Sequence, residues 1–596
     1  MSDQPSNPTA SRWSQFCARP AGLLAVWALA LLMAMAGMAI RGMDPVGPDD
    51  VMRMLEVRDL LNGQSWFDVN QYRVDPPDGA SMHWSRLVDI PLAIGFALLG
   101  EDLTMAIVPM LWLLAAMFAL RAIMQKMGVN PIAMLAGLVT LTFYPMVVTQ
   151  FMPMRIDHHG PQAALGLWAV ALLLRDSAKT AFVSGVLCAA WIAISLEALP
   201  LIAAIAAVFG LLYWREGDQR LKYMLAGLAL AAPLFSYATR PSSAFSLPFC
   251  DILAPGHMLA FAASALLAFA LPFFPGQDRA KGRFLALIAF PIVCAPAALF
   301  GLGECATNPM GQLDPLVRDY WYNAIPEGLP IWKQSASTAA VQIWTLGVLV
   351  FGWRFSRKEW ASKVEIAKTL QIGPADVAAL IGLLACLYSF AVMRASVFAQ
   401  LLALPFAALL LAHFMPRARA IASSLPRILA TLACLALVTP VMIGAAAERI
   451  VPAQRASEAQ VETLQASAAV SAQMPECDVS RLAAFEPGLV FSTLDLGPEI
   501  LDKSAHTIIA ASYHRNDQAM GDIIRAFISG QEDARQIIQQ SGADYLAICT
   551  LKDDIWLYRG AAPGNFADML SRGEAPDWLE AVEGFEEGGL QLYRPR

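Results

Sequence analysis

Along most of the chain, apolar residues do not alternate with polar ones at a helical or strand period. They form long runs separated by short polar segments. Runs can be drawn at 21–41, 103–122, 131–150, 161–175, 181–197, 199–214, 223–239, 257–275, 284–302, 337–353, 374–393, 395–415 and 427–447. Each is near the roughly 20 residues that cross ~30 Å of hydrocarbon as a helix, although several are short. The run at 88–100, "VDIPLAIGFALLG", is too short to span and reads as an interfacial or re-entrant helix closing the first outer loop. Beyond 447 the pattern changes. Glu448 to Gln473 reads as a helix leaving the membrane. "GLVFSTLDLGPEIL", "HTIIAAS", "DIIRAFISG", "DYLAICT" and "LQLYRPR" then predict alternating strands and helices. The expected fold is an α-helical polytopic membrane protein of about thirteen transmembrane helices with a small C-terminal α/β domain. The expected divisions are an N-terminus at 1–20, a membrane domain at 21–447 with a first outer loop at 42–102, and an extracytoplasmic domain at 448–596.

Composition agrees with the pattern. Of 596 residues, 57% are hydrophobic and 15% are charged, and the mean hydropathy is +0.50, well above the values of soluble chains. The net charge of −7 matters less than where the basic residues fall. Arg121 and Lys126, Arg175 and Lys179, Arg215, Arg220 and Lys222, and Arg279, Lys281 and Arg283 lie in alternate connecting segments. The series continues with Arg354, Arg357, Lys358, Lys363 and Lys368, then Arg417, Arg419 and Arg427. The positive-inside rule puts these in the cytoplasm, which leaves the N-terminus cytoplasmic and 448–596 periplasmic in a bacterial-type inner membrane. Arg12 and Arg19 precede the first run; a cleaved signal peptide is the alternative to a retained helix there. No long basic run points to nucleic acid. Cys250, Cys305, Cys477 and Cys549 fall on the outer side in this topology and are expected to pair as Cys250 with Cys305 and Cys477 with Cys549, or to remain thiols.

Candidate chemistry gathers at the outer ends of the spans. Asp49 and Asp50 precede the amphipathic stretch "VMRMLEVRDLL", where an acid either caps a helix or serves chemistry. Asp157, His158 and His159 sit between two apolar runs; acid and imidazole are competent ligands for a divalent cation, and a hydrogen-bonded loop is the plainer alternative. Glu197, Glu327 and Arg394 also fall at outer ends, where an ionisable residue is a functional candidate. The planar donor fork of Arg394 suits phosphate, and snorkelling to the interface is its structural alternative. His83, Trp84 and Arg86 in "MHWSR" are further candidates. Acids, imidazoles and a guanidinium beside a bilayer suit a divalent cation that neutralises a lipid-linked phosphate leaving group.

Taken in order, the outer-loop acid before an amphipathic helix, the "DHH" after the third run, the loop Glu before Gly-Leu-Pro, and the Arg opening a late span resemble the catalytic subunits of oligosaccharyltransferases. These are GT-C glycosyltransferases of thirteen spans with an outer C-terminal domain. The resemblance covers about 21–447. It implies a GT-C-like fold and assigns metal to Asp49, Asp157 and His159, with Mg²⁺ or Mn²⁺ as the cofactor. It gives Asp49 or its neighbour Asp50, and Glu327, to the acceptor and catalysis, and Arg394 to the donor phosphate. The family's W-W-D-x-G run is missing from 450–596, where "TLDLGPEIL" and "SYHRND" are the nearest distinctive strings.

The expected activity is transfer of a sugar or oligosaccharide from a polyprenyl-phosphate-linked donor to a protein, lipid or glycan acceptor, by an enzyme embedded in a lipid bilayer. One alternative is a single-sugar GT-C transferase acting on a lipid or surface polysaccharide. Another is a non-catalytic transporter or flippase of a lipid-linked substrate.

Overall fold

Proline sets many of the helix starts in the computed structural model, which describes residues 16–17, 19–242, 249–306, 313–361, 371–436, 438–451, 477–585 and 589–596. Pro20, Pro48, Pro131, Pro255, Pro374 and Pro440 each open a helix, where the missing N–H is no loss and the fixed φ is already helical. The chain forms two compact units. One comprises Met1–Asp44, Ser85–Pro309 and Leu329–Pro452; the other comprises Pro45–Trp84, Met310–Gly328 and Ala453–Arg596. Most of the expected exit helix at 448–473 lies outside the described residues.

The first unit is helical. Among the described residues, eight helices are long and apolar enough to cross a membrane: Pro20–Ile40, Glu101–Lys126, Ala198–Glu216, Arg220–Thr239, Pro255–Phe273, Ala280–Ala306, Ala336–Lys358 and Met393–Arg419. The bent pair Ser424–Ala436 and Pro440–Ile450 makes nine if it counts as one span. The other four apolar runs fold as the shorter helices Pro131–Thr140, His159–Leu173, Ala178–Ile194 and Pro374–Ser389. The run 131–150 is shortened because its helix gives way to a 3₁₀ turn, and Pro145 opens a separate single turn. The segment 88–100 folds within the helix Arg86–Leu99, whose Ser85 hydroxyl accepts the Leu87 N–H.

Glycine permits the closest helix approach. A Cβ on Gly185 would lie 1.9 Å from the Met224 carbonyl oxygen, and one on Gly227 would lie 2.1 Å from that of Phe182. The helices Ala178–Ile194 and Arg220–Thr239 therefore meet backbone to backbone, as small residues allow in lipid where apolar burial drives no association. Trp191 faces Phe398 at 5.2 Å between ring centroids, with Gly166 beneath them, where a Cβ would come within 2.8 Å of both rings. The helix Met393–Arg419 is the most enclosed of the eight.

The second unit gathers two loops around the C-terminal sheet. A small antiparallel pair joins β1 (Asn70–Gln71) to β2 (Ala80–Ser81). The five-stranded sheet contains β3 (Leu489–Ser492), β4 (Thr507–Ile508), β5 (Tyr545–Cys549), β6 (Leu579–Ala581) and β7 (Leu590–Pro595), in the order β4-β3-β5-β7-β6. The first three strands are parallel and the last two pairings are antiparallel. The first outer loop docks on the β4 edge. Val74 bridges Ile508, the Asp75 N–H donates to Ile508 O at 2.9 Å, and the Ile508 N–H donates to Arg73 O at 2.9 Å. Arg73 also donates to the carbonyls of Leu501, Ser504 and His506 at 2.6–2.8 Å. Leu501 and Ser504 lie in and just past the last turn of the helix Gly497–Lys503, where carbonyls have no intrahelical partner. Arg58 pairs with Asp502 at 2.7 Å. From the other loop, Leu313 and Val317 enter the core around Ile523, Ile524, Phe527 and Tyr558.

Each unit holds one disulfide, Cys250–Cys305 in the first and Cys477–Cys549 in the second, with Cα separations of 5.1 and 5.9 Å. At the carboxyl ends of the parallel strands lies a pair of acids, Asp554 buried and Asp495 half-buried. Asp554 accepts the N–H groups of Asp495 at 2.9 Å and Ile555 at 2.8 Å, while Asp495 accepts the Ser512 hydroxyl at 2.6 Å. Burial, and then the charge of Asp495, push the Asp554 carboxyl up to about 7.

Two predictions follow from this packing. Gly185→Leu and Gly227→Leu should each destabilise the detergent-solubilised chain by on the order of 1–3 kcal/mol or more, read as a lower thermal unfolding midpoint, because the inserted side chain meets backbone that cannot step aside. For Asp554 the folded value exceeds the ordinary ~3.9 of an unfolded aspartate. The folded chain therefore binds a proton that the unfolded chain has released between about pH 4 and 7, and the contribution of Asp554 to stability falls as pH rises through that window. Asp554→Asn should remove this slope, so its stability relative to wild type should improve from pH 5 to pH 8 in denaturant titrations. An unchanged difference at the two pH values would reject the assignment.

Candidate functional site

The turn 149–158 carries the first group of chemical residues because it cannot continue as a helix. Met154 sits at φ +72°, a left-handed conformation costly for a residue with a side chain, and its N–H is taken by Met105 O at 2.9 Å. The helix His159–Leu173 then begins close against the turn, since a Cβ on Gly160 would lie 2.8 Å from Gln150 O. This fold buries Asp157 to 3% exposure and surrounds it with donors. Arg155 Nη2 lies 3.0 Å from Oδ2, and His159 Nδ1 lies 2.6 Å from the same oxygen. His158 approaches Oδ1 with both its ring and its backbone N–H. The two imidazoles stack at 4.4 Å between centroids. Burial alone would raise the Asp157 carboxyl, but His158 and His159 outweigh it and hold the group well below the usual carboxylate range.

The second group stands where two further helices begin. Glu197 immediately precedes the helix Ala198–Glu216, and Arg394 lies on the 3₁₀ turn Met393–Ala395 before the helix Ser396–Arg419. Their side chains form an ion pair 197 residues apart in sequence. Burial would raise Glu197; Arg394 first, then His159 and His158, bring it down to about 2. A cleft of about 60 Å³ is lined by His159, Gln162, Trp191, Glu197, Tyr388, Arg394 and Phe398, among others. Trp191 Nε1 donates to Gln162 Oε1 at 3.2 Å, which fixes the indole along one wall. Of the sequence candidates in the first unit, Asp157, His158, His159, Glu197 and Arg394 thus fall in one neighbourhood. Arg86 is apart from them in its bonding, paired with Asp89 at 3.1 Å with both side chains buried.

The donor set fits a divalent cation. One ligand atom from each of Asp157, His158 and His159 lies within 4.8 Å of the others. A carboxylate with two imidazoles suits Mn²⁺ or a later transition metal better than Mg²⁺, which prefers an all-oxygen shell. Arg155 already offers positive charge to Oδ2 of Asp157, so a bound cation would share or displace that contact.

The remaining candidates lie in the second unit. Asp50 is the helix cap: it is fully buried, and its carboxylate accepts the Gly47 N–H at 3.1 Å at the start of the helix Pro48–Leu61. Asp49, in the same first turn, is half-buried and accepts the Tyr513 hydroxyl at 3.3 Å. Burial and then Asp49 push the Tyr513 phenol well up. Trp84 is buried beneath the Arg53 guanidinium at 4.6 Å and meets Tyr513 edge-on at 5.3 Å between centroids. The His83 and His514 rings are 4.7 Å apart. Glu327 is half-buried on the turn Pro326–Gly328.

Residues that the sequence did not single out are Gln162, Trp191 and Tyr388 in the cleft, and Asp495, Ser512 and Asp554 at the strand ends. The string Thr493–Gly497 keeps the Asp and Gly of the W-W-D-x-G spacing, with Thr493 and buried Leu494 in the two aromatic positions. That spacing was the available signal.

No protein-family model matches the sequence, and no curated protein matches it. Solved structures do. An archaeal oligosaccharyltransferase, AglB from Archaeoglobus fulgidus, in complex with an inhibitory peptide and a dolichol-phosphate, superposes with a TM-score of 0.62 at 14% identity, over 96% of this chain and 74% of that one. The Archaeoglobus fulgidus oligosaccharyltransferase tethered to an acceptor peptide gives 0.61 at 13% identity, also over 96% and 74%. Its complex with Zn and sulfate gives 0.55 at 14% identity, over 96% and 73%. At such identity the likeness is one of fold, and along nearly its whole length this multi-pass membrane chain is similar in fold to the archaeal oligosaccharyltransferase.

Proposed function

We propose that the chain is a metal-assisted membrane glycosyltransferase. It moves a sugar or oligosaccharide from a polyprenyl-phosphate-linked donor to an acceptor at the membrane face opposite the basic loops. In a bacterial-type inner membrane this face is periplasmic, and the N-terminus is cytoplasmic. The observation that carries the reading is the cleft in which His159, Glu197 and Arg394 share walls beside the buried Asp157.

In this reading Arg394 grips the donor phosphate with two parallel N–H donors. Glu197 holds the guanidinium ready and yields it to the incoming phosphate. Asp157 and His159, with His158 beside them, would hold a divalent cation, which supplies charge neutralisation for the departing phosphate. The bond from the anomeric carbon to the phosphate oxygen breaks with its electron pair staying on the phosphate. The acceptor atom bonds to that carbon and gives up a proton. Asp49 and Glu327 are the acids we assign to orienting or deprotonating the acceptor. Asp50 is assigned to the helix start, as its hydrogen bond indicates.

The acceptor class has a second reading. Thr493 and Leu494 stand where the oligosaccharyltransferase motif has two tryptophans. This replacement favours a lipid, glycan or differently recognised protein over an acceptor chosen through that motif, and fits a single-sugar transferase on the same fold.

Variants and chelation test the proposal in membranes supplied with a labelled polyprenyl-linked donor. Asp157→Ala and Arg394→Ala should each slow transfer on the order of 10²–10³-fold, the scale of losing a preorganised electrostatic group. Arg394→Lys should raise the donor KM more than it lowers kcat, because a point charge replaces a planar fork. EDTA should abolish transfer, and Mn²⁺ should restore it at lower concentration than Mg²⁺. Wild-type rates in both alanine variants would overturn the assignment. Donor movement across the membrane without any sugar transfer would show a flippase instead.

A further inference from the structure

A second and larger apolar opening lies in the first unit; its lining begins at Ala206, five residues along the helix Ala198–Glu216 from Leu201 of the cleft just discussed. It is a crevice of about 620 Å³ bounded by the helices Ala198–Glu216, Arg220–Thr239, Pro255–Ala270 and the two segments Ala280–Leu287 and Ala289–Leu302. Its lining includes Gly210, Trp214, Leu221, Leu225, Phe284 and Phe290. Ser264 and Cys294 are the exceptions in a wall that is otherwise aliphatic and aromatic. Gly210 leaves the crevice open, since a Cβ there would meet nothing within 4 Å. A volume of several hundred Å³ is that of a ligand site rather than a packing defect, and an apolar crevice between spans fills with hydrocarbon.

Charge indicates which hydrocarbon. The Trp214 and Phe284 rings meet at a tilt, 5.0 Å between centroids, at one end of the crevice, and that end is where two interhelical segments are strongly basic. Residues 215–222 and 278–283 together hold six basic side chains against three acids. The acids are largely committed. Asp218 is bonded to Arg220 and Asp278 lies 3.4 Å from Arg279, while Glu216 accepts the Ile372 N–H. Arg283 is committed to the carbonyls of Trp214, Arg215 and Gln277. Arg215 and Lys281 are exposed, and Lys222 is half-exposed beside the Tyr223 and Phe269 rings. An apolar slot crowned by exposed and half-exposed positive charge and an aromatic pair is complementary to one class of membrane molecule.

We infer that this crevice binds an acyl chain of an anionic phospholipid from the leaflet facing the basic segments, with the phosphate head near Arg215, Lys222 and Lys281. The polyprenyl donor is a less apt occupant, because its phosphate is assigned to Arg394, which does not line the crevice. The exclusion of the donor rests on the catalytic reading; the shape and charge of the crevice do not.

The full-length chain, purified in mild detergent and delipidated, would be mixed with phosphatidylglycerol or phosphatidylcholine and examined by native mass spectrometry. Phosphatidylglycerol should be retained in preference. Lys222→Gln with Lys281→Gln should weaken that preference about fivefold per charge removed. Gly210→Leu should abolish retention while Gly37→Leu, at another helical glycine with open space around it, leaves it intact; both should remain monodisperse. Equal retention of the two lipids, unaltered retention in the charge pair, or displacement of phosphatidylglycerol by undecaprenyl phosphate would overturn the inference. If Gly210→Leu does not fold, the lysine pair decides alone.

Discussion

A carboxylate that is almost completely buried must be surrounded by positive charge or take up a proton. Asp157 is the point at which this constraint shapes the first unit. Its charge is kept by two imidazoles and a guanidinium drawn from within two residues of it. Only a tight turn can bring donors so close in sequence onto one carboxylate. The left-handed Met154 and the side-chain-free Gly160 are what make the turn tight enough. A chain with a bulky residue at 160 would have to move the helix start away from Gln150, and the histidines would leave the carboxylate with it.

The same constraint explains Glu197 and Arg394. Each sits where a span begins, and neither is tolerable there alone. They find each other because the helices that follow them are packed on a common core, in which Trp191 and Phe398 meet over Gly166. Packing in the hydrocarbon-facing body thus sets the geometry of charges at its rim. The glycines at 185 and 227 act one layer further away, by fixing how closely the helix bearing Trp191 can approach its neighbour.

The charges of this site were legible in the sequence because an acid, two histidines, a glutamate and an arginine stand out against apolar surroundings. That they gather at one side was readable from the alternation of charge; the pairing of Glu197 with Arg394 was not, since it depends on helix packing between positions 197 residues apart. The apolar runs gave the helices but overstated their lengths, as at 131–150, where a 3₁₀ turn and Pro145 interrupt a continuous hydrophobic stretch. The C-terminal α/β pattern was readable from alternation. Its dependence on the segment 45–84 was hidden, because that loop joins by a bridge at Val74, carbonyl-capping from Arg73 and the Arg58–Asp502 pair, none of which has a hydrophobic period; the segment 310–328 joins through Leu313 and Val317, too few apolar positions to form a pattern. Asp554 was invisible for another reason: an acid in an acid-rich tail gives no sign of being buried beside a second one.

The pairing of Arg394 with Glu197 bears on selectivity under the proposed reading. A guanidinium left unpaired at a membrane rim would attract any anion. One already satisfied by a carboxylate gives up a charge-assisted bond for each ligand it accepts, so an anion that meets the guanidinium alone gains little by entering. A lipid-linked phosphate can be met as well by a cation on the Asp157 side of the same cleft, which compensates for the repulsion from Glu197. Arginine and cation together then favour the phosphate that neither would favour alone. This makes Glu197 a positioning residue whose loss should relax discrimination among anions more than it lowers the maximal rate.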